Sequence, residues 1–208
     1  MEIDVKADFS KKEGQPIRPS PDELEKYLNE WNSLENYVQQ ENSLKKLFTN
    51  TYPLNDNIDD VLIKVCSLND FYSTNIFSPF TVARHIVKLN IDEKIEQDNW
   101  NVVNEIAYVT MKGNKQKNFY SFATKYCSHH KPTSFPIYDS FVEKMLMHFK
   151  NADKFYDFNK ADLKQYPKYR EILLKFRDFY RIEEYDLKQI DKYLWQAGKI
   201  YFPKQYVK

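Results

Sequence analysis

Three glycines in 208 residues constrain this chain more than any other feature. Sheets built from hairpins need glycine at left-handed turn positions, so a chain with so few is steered towards helices joined by short loops. The apolar residues agree. Leu24, Tyr27, Leu28, Trp31 and Leu34 fall three or four apart. So do Val61, Leu62, Val65 and Leu68, and then Phe119, Phe122, Ala123, Tyr126 and Cys127. Start signals precede these runs: Ser20 before Pro21, Asn57 before Asp59 and Asp60, Ser78 before Pro79, and Asp186 with Gln189 at the capping-box position. Gly198 reads as a helix stop and a break is expected near Asn42. No run of strict alternation marks a strand. The expectation is an all-α, multi-helix globular domain, long enough for two helical lobes flanking a cleft.

Residues 1–19, with Gly14, Pro16 and Pro19 among scattered charges, read as a mobile arm, and residues 20–208 as a single helical domain. No stretch of about 18 apolar residues exists, so no membrane partner is expected. The polar start is no secretory signal, which points to a cytoplasmic location and to Cys66 and Cys127 as reduced thiols in or near the core. Two cysteines cannot form a four-thiolate cluster, and the adjacent His129 and His130 lack the further ligands that zinc needs, so no metal is expected. The chain lacks the phosphate-cradling, zinc-protease, serine-esterase and dinucleotide motifs, and no cofactor is expected.

With 30 acidic residues in the chain, a stretch of 33 residues would hold about five, yet Ile106 to Tyr138 holds none. The same stretch carries Lys112, Lys115, Lys117, Lys125 and Lys131 beside His129 and His130. The net charge of +1 gives no global attraction for a polyanion, so a nucleic-acid reading rests on this local excess of cations. Lys112, Gly113, Asn114, Lys115 and Lys117 lie in a turn ahead of a helix, where free N–H groups also favour an anion. With His129, His130 and Lys131 they are the candidate nucleic-acid contacts. Lys125, two turns into the helix, reads as a surface residue. Asp139 ends the acid-free stretch just ahead of an apolar helix. It reads either as an N-cap or as a carboxylate facing a groove.

This order of elements, a lysine-bearing turn, an apolar helix, then Phe135-Pro136-Ile137-Tyr138-Asp139 and a further helix, resembles the helix-hairpin-helix DNA glycosylase superfamily. The similar region covers about residues 101–150. The polar segment Leu68 to Asn75 after an apolar helix is similar too. The resemblance implies a partner, double-stranded DNA, and cleavage of the bond between a damaged base and its sugar. It implies Asp139 as the carboxylate that stabilises positive charge on the sugar, and Lys117 as an amine nucleophile. The other readings are a non-catalytic nucleic-acid binder on the same fold and a helical protein-interaction domain.

Overall fold

The computed structural model describes residues 14–203. Helix α1 (Pro21–Ser33) opens with Ser20 Oγ accepting the Glu23 N–H at 3.2 Å and Pro21 in the first turn. It stops at Leu34, where the backbone leaves the helical region (φ −85°, ψ 72°), and α2 (Glu35–Lys46) begins directly. The break expected near Asn42 therefore falls at Leu34 instead. Asn42 points to solvent inside α2, where it costs only a modest helical preference. One π-helical turn, Leu47–Thr51, follows.

Asn57 caps α3 (Ile58–Tyr72), accepting from the Asp59 and Asp60 N–H groups, and α3 ends on a left-handed Ser73. Then come α4 (Pro79–Leu89), α5 (Asp92–Glu96) and α6 (Val102–Ala107). The next element was not expected. Strands β1 (Tyr108–Thr110) and β2 (Gln116–Asn118) pair antiparallel, with Val109 opposite Lys117. Three residues per strand are too few for alternation to register in sequence. The turn between them places Gly113 (φ 76°) and Asn114 (φ 57°) in the left-handed region. The region expected to be helix-hairpin-helix is thus helix, β-hairpin, helix.

Helix α7 (Tyr120–His130) is central, with Phe122 through His129 all buried. Helices α8 (Ser140–Asp153), α9 (Tyr166–Tyr180) and α10 (Leu187–Tyr201) complete the domain. Among the described residues the fold is all-α apart from the hairpin. α1 and α8 pack on α10, α3 packs on α4, and α2, α3 and α6 surround α7. One continuous core joins them.

Asp186 and Gln189 close a capping box at the start of α10, as the sequence indicates. Gly198 is not the stop expected. α10 runs on to Tyr201, and Gly198 instead lets α10 touch α8, since an added Cβ would lie 2.7 Å from Phe141 Cβ. Cys127 is buried, but Cys66 is exposed on α3 rather than near the core, and both are free thiols. Residues 1–13 of the N-terminal arm lie outside the described residues. At its end Pro19 is buried and the Arg18 guanidinium sits over the Phe179 and Tyr180 rings. No helix among the described residues is long and apolar enough to cross a membrane.

Candidate functional site

The turn lysines Lys112 and Lys115, together with Gly113, Asn114 and Lys117, are exposed on the hairpin. Lys131 is tied to a neighbouring loop, 2.9 Å from Asp98 Oδ1 and donating to Glu96 O at 2.8 Å. The two histidines are not surface contacts. His129 is 6% exposed, with Nε2 3.1 Å from Tyr72 OH, and His130 accepts from Asn55 Nδ2 at 3.2 Å. Both pack against Phe48. Burial drives both rings down to about 3, with Lys188 and Lys125 adding to the effect on His129, and Lys64 on His130. They are therefore neutral at pH 7 and offer no cation to a phosphate. The sequence shows two adjacent polar rings; it does not show that the central helix carrying them is enclosed.

That enclosure has a second consequence. Lys125, expected on the surface, is 5% exposed, because α7 has no outward face along this stretch. Its Nζ folds back one turn to Ser121 Oγ at 2.6 Å, lies 3.5 Å from Tyr138 O, and stands 5.2 Å above the Tyr72 ring. Lys64, the other buried lysine, has a structural role by contrast. Its ammonium donates to Tyr52 O, Leu54 O and Asn55 Oδ1, which holds the loop after the π-helical turn.

Lys125 opens onto a cavity of about 240 Å³ between α1, α2 and the end of α3 on one side and α7, α8 and α10 on the other. Asp139 stands on its rim. The segment before Asp139 is pinned three times: Tyr166 OH donates to Pro136 O at 2.8 Å, Tyr169 OH donates to Ile137 O at 2.6 Å, and Thr124 Oγ1 accepts the Tyr138 N–H at 3.1 Å. Asp139 then caps α8, accepting the Phe141 N–H at 2.6 Å. Asp139 is thus the N-cap of α8, and its half-buried side chain also lines the cavity. Lys117 does not line it. The structure does not bring Lys117 and Asp139 together; of the lysines in the acid-free stretch, Lys125 shares the cavity with Asp139.

Sequence reasoning missed the far wall. On α10, Lys188, Lys192, Trp195 and Lys199 recur at helical spacing with Asp191 beside them, and all five line the cavity. A charged stripe on the inner face of an amphipathic helix was the available signal. Glu41 of α2 bridges Lys188 at 3.4 Å and Lys192 at 2.7 Å. Burial would raise the Glu41 carboxyl, but Lys188 and Lys192 hold it below the usual range. Trp31, Tyr37 and Trp195 form an aromatic cluster with centroids 5.2–6.0 Å apart. Lys192 lies 4.7 Å over Trp31 and Lys199 lies 4.1 Å over Trp195. Asp191 is 6% exposed, and among the described residues no hydrogen bond or ion pair holds its carboxylate. Burial raises it to about 7, against the pull of Lys188 and with the repulsion of Asp139.

The site is therefore an aromatic-walled pocket lined by the buried Lys125 ammonium and by three carboxylates in different environments, Glu41, Asp139 and Asp191. Such a set can hold a flat ring by stacking and can move protons beside it. Residues 23–134 match the model of the HI_0787_N family, an N-terminal domain. The chain belongs to this family. The matched stretch carries Trp31, Glu41, Tyr72 and Lys125 of the cavity and ends before Asp139 and α10. An uncharacterized protein of Haemophilus influenzae is 45% identical over 163 residues, covering 77% of this chain and 78% of the relative. No solved structure matches the chain.

Proposed function

We propose that this chain binds duplex DNA, receives a base turned out of the stack in the aromatic cavity, and cleaves its bond to the sugar, with Lys125 as the amine and Asp139 as the carboxylate. The observation that carries the reading is the buried Lys125 ammonium sharing one pocket with Asp139. A flipped base needs stacking surfaces, which the Trp31, Tyr72 and Phe141 rings supply. Positive charge developing on the sugar needs a fixed anion, which Asp139 supplies from a rigid helix start. Attack at the anomeric carbon needs an amine within the pocket, which Lys125 supplies.

The hairpin supports the same reading. β2 leads through Phe119 directly into α7, and Lys125 leans back towards that end of the helix, as helical side chains do. Lys112, Lys115 and Lys117, exposed on that hairpin, then serve as phosphate contacts, not as nucleophiles. Work on DNA also fits a cytoplasmic location.

The test is borohydride reduction of the full chain mixed with duplexes bearing an abasic site or an oxidised, alkylated or deaminated base. A covalent cross-link is expected, lost in Lys125→Ala and kept in Lys117→Ala. Replacing Lys112, Lys115 and Lys117 by Gln should lower the salt slope of duplex binding by about 3. Absence of both cross-linking and base release on every duplex, with binding insensitive to salt, would overturn the proposal.

A further inference from the structure

An amine that starts as a buried ammonium must lose a proton before it can attack, and the pocket must hold a group that takes it. Lys188, Lys192 and Lys199 also line the pocket as cations, and of the acidic groups Glu41, Tyr72, Asp139 and Asp191, most are engaged. Asp139 is bound to the Phe141 N–H. Glu41 is shared by Lys188 and Lys192. The Tyr72 hydroxyl lies against His129 Nε2, and burial pushes it up to about 12, so it stays neutral and offers no anion to receive a proton. Asp191 differs from all of these. It sits on the inner face of α10, almost wholly buried, with no hydrogen bond or ion pair among the described residues, in the field of Lys188, Asp139, Lys125 and Glu41.

We infer that Asp191 is the proton carrier of the pocket, accepting a proton from Lys125 and returning it to the leaving group. The inference rests on the reading of Lys125 as the attacking amine. Lys125 passes a proton to the Asp191 carboxylate, giving a neutral amine and a carboxylic acid. The Nζ–C1′ bond forms with the amine lone pair while the bond from C1′ to the base nitrogen breaks, its electrons leaving with the base. Asp191 then gives its proton to that nitrogen, so the base departs neutral and the carboxylate is restored. The near-neutral titration of Asp191 suits both directions of transfer.

The test follows imine formation at Lys125 with pyridoxal, trapped by borohydride and located by peptide mass mapping, across pH 5 to 9. This probe needs no DNA. Asp191→Asn should slow labelling of Lys125 at pH 7 by roughly 10²-fold and remove the rise in rate around neutrality, while Asp191→Glu restores most of it. A carboxylate acting only through its charge predicts something else. Its loss would lower the affinity of Lys125 for its proton, so labelling would move to lower pH with the rate undiminished. That result overturns the inference, as does a Glu variant as slow as the Asn variant. If pyridoxal labelling behaves as expected but no duplex is cross-linked, the proton carrier stands and the DNA reading falls. If duplexes cross-link with the same pH profile in wild type and Asp191→Asn, the DNA reading stands and the proton carrier falls.

Discussion

Lys125 Nζ lies 2.6 Å from Ser121 Oγ, one turn back along α7. This contact folds a long side chain towards the helix start and sets its ammonium in the pocket wall beneath the Tyr138 carbonyl. Ser121→Ala removes an acceptor 2.6 Å from a buried cation. It should destabilise the fold by about 2 kcal/mol in urea titration and reduce borohydride cross-linking about tenfold. An unchanged urea midpoint would mean that the ammonium is held elsewhere.

Asp139 has two jobs that substitutions can separate. Asn keeps a side-chain oxygen for the Phe141 N–H, so Asp139→Asn should stay within a few tenths of a kcal/mol of wild type. Asp139→Ala loses the cap and should cost about 1 kcal/mol. Both remove the negative charge at the rim, so both should lower base release by about 10²-fold or more. If Asn retains full activity, the carboxylate is a cap alone.

Acid and base limbs of stability should be governed by different buried groups. His129 and His130 titrate near 3 when folded, below their ordinary 6.5, so the unfolded chain binds more protons between those values. Stability should fall as pH drops below about 6.5, by about 2 kcal/mol per ring at pH 5. Asp191 runs the other way. Its folded value near 7 lies above the ordinary 3.8, so its burial costs stability progressively as pH rises between them. Asp191→Asn should therefore raise stability at pH 8, by an amount on the order of 2–4 kcal/mol seen as a higher Tm, and change little at pH 4. Thermal melts across pH check this, and an equal shift at both ends would contradict it. A stabilising change in the pocket is what a functional rather than structural carboxylate predicts.

Gly198 sets the approach of α10 to α8. An alanine Cβ there would lie 2.7 Å from Phe141 Cβ and 2.8 Å from Phe141 O, so the helices must part. Ala is the better helix former by about 1 kcal/mol, which opposes the effect. The clash should win, with a net loss of about 1–2 kcal/mol in denaturant titration. Because Phe141 lines the cavity, duplex cross-linking should weaken as well. A higher Tm would show that α8 shifts freely.

Much of the fold is legible in particular residues. Ser20, Asn57 and Asp186 cap where their positions say they should, because a cap is a contact over two or three residues. The hairpin is invisible, because strands of three residues leave no period to read. Asp139 was identifiable as the isolated acid of a basic stretch. Asp191 was not, since nothing near it in sequence reveals that its helix face looks into a pocket shared with residues more than fifty positions away.

The sequence by itself determined the helical character of the chain, the capped starts at Ser20, Asn57 and Asp186, the exposed lysines of the turn and the isolation of Asp139. All of these follow from interactions within a few residues of the chain. Tertiary structure alone decided which lysine faces Asp139, that the two histidines are neutral core residues, and that α10 closes the pocket. Burial is set by neighbours distant in sequence, here α2, α3 and α6 wrapped around α7, and burial is what turns Lys125 and Asp191 from surface charges into a site.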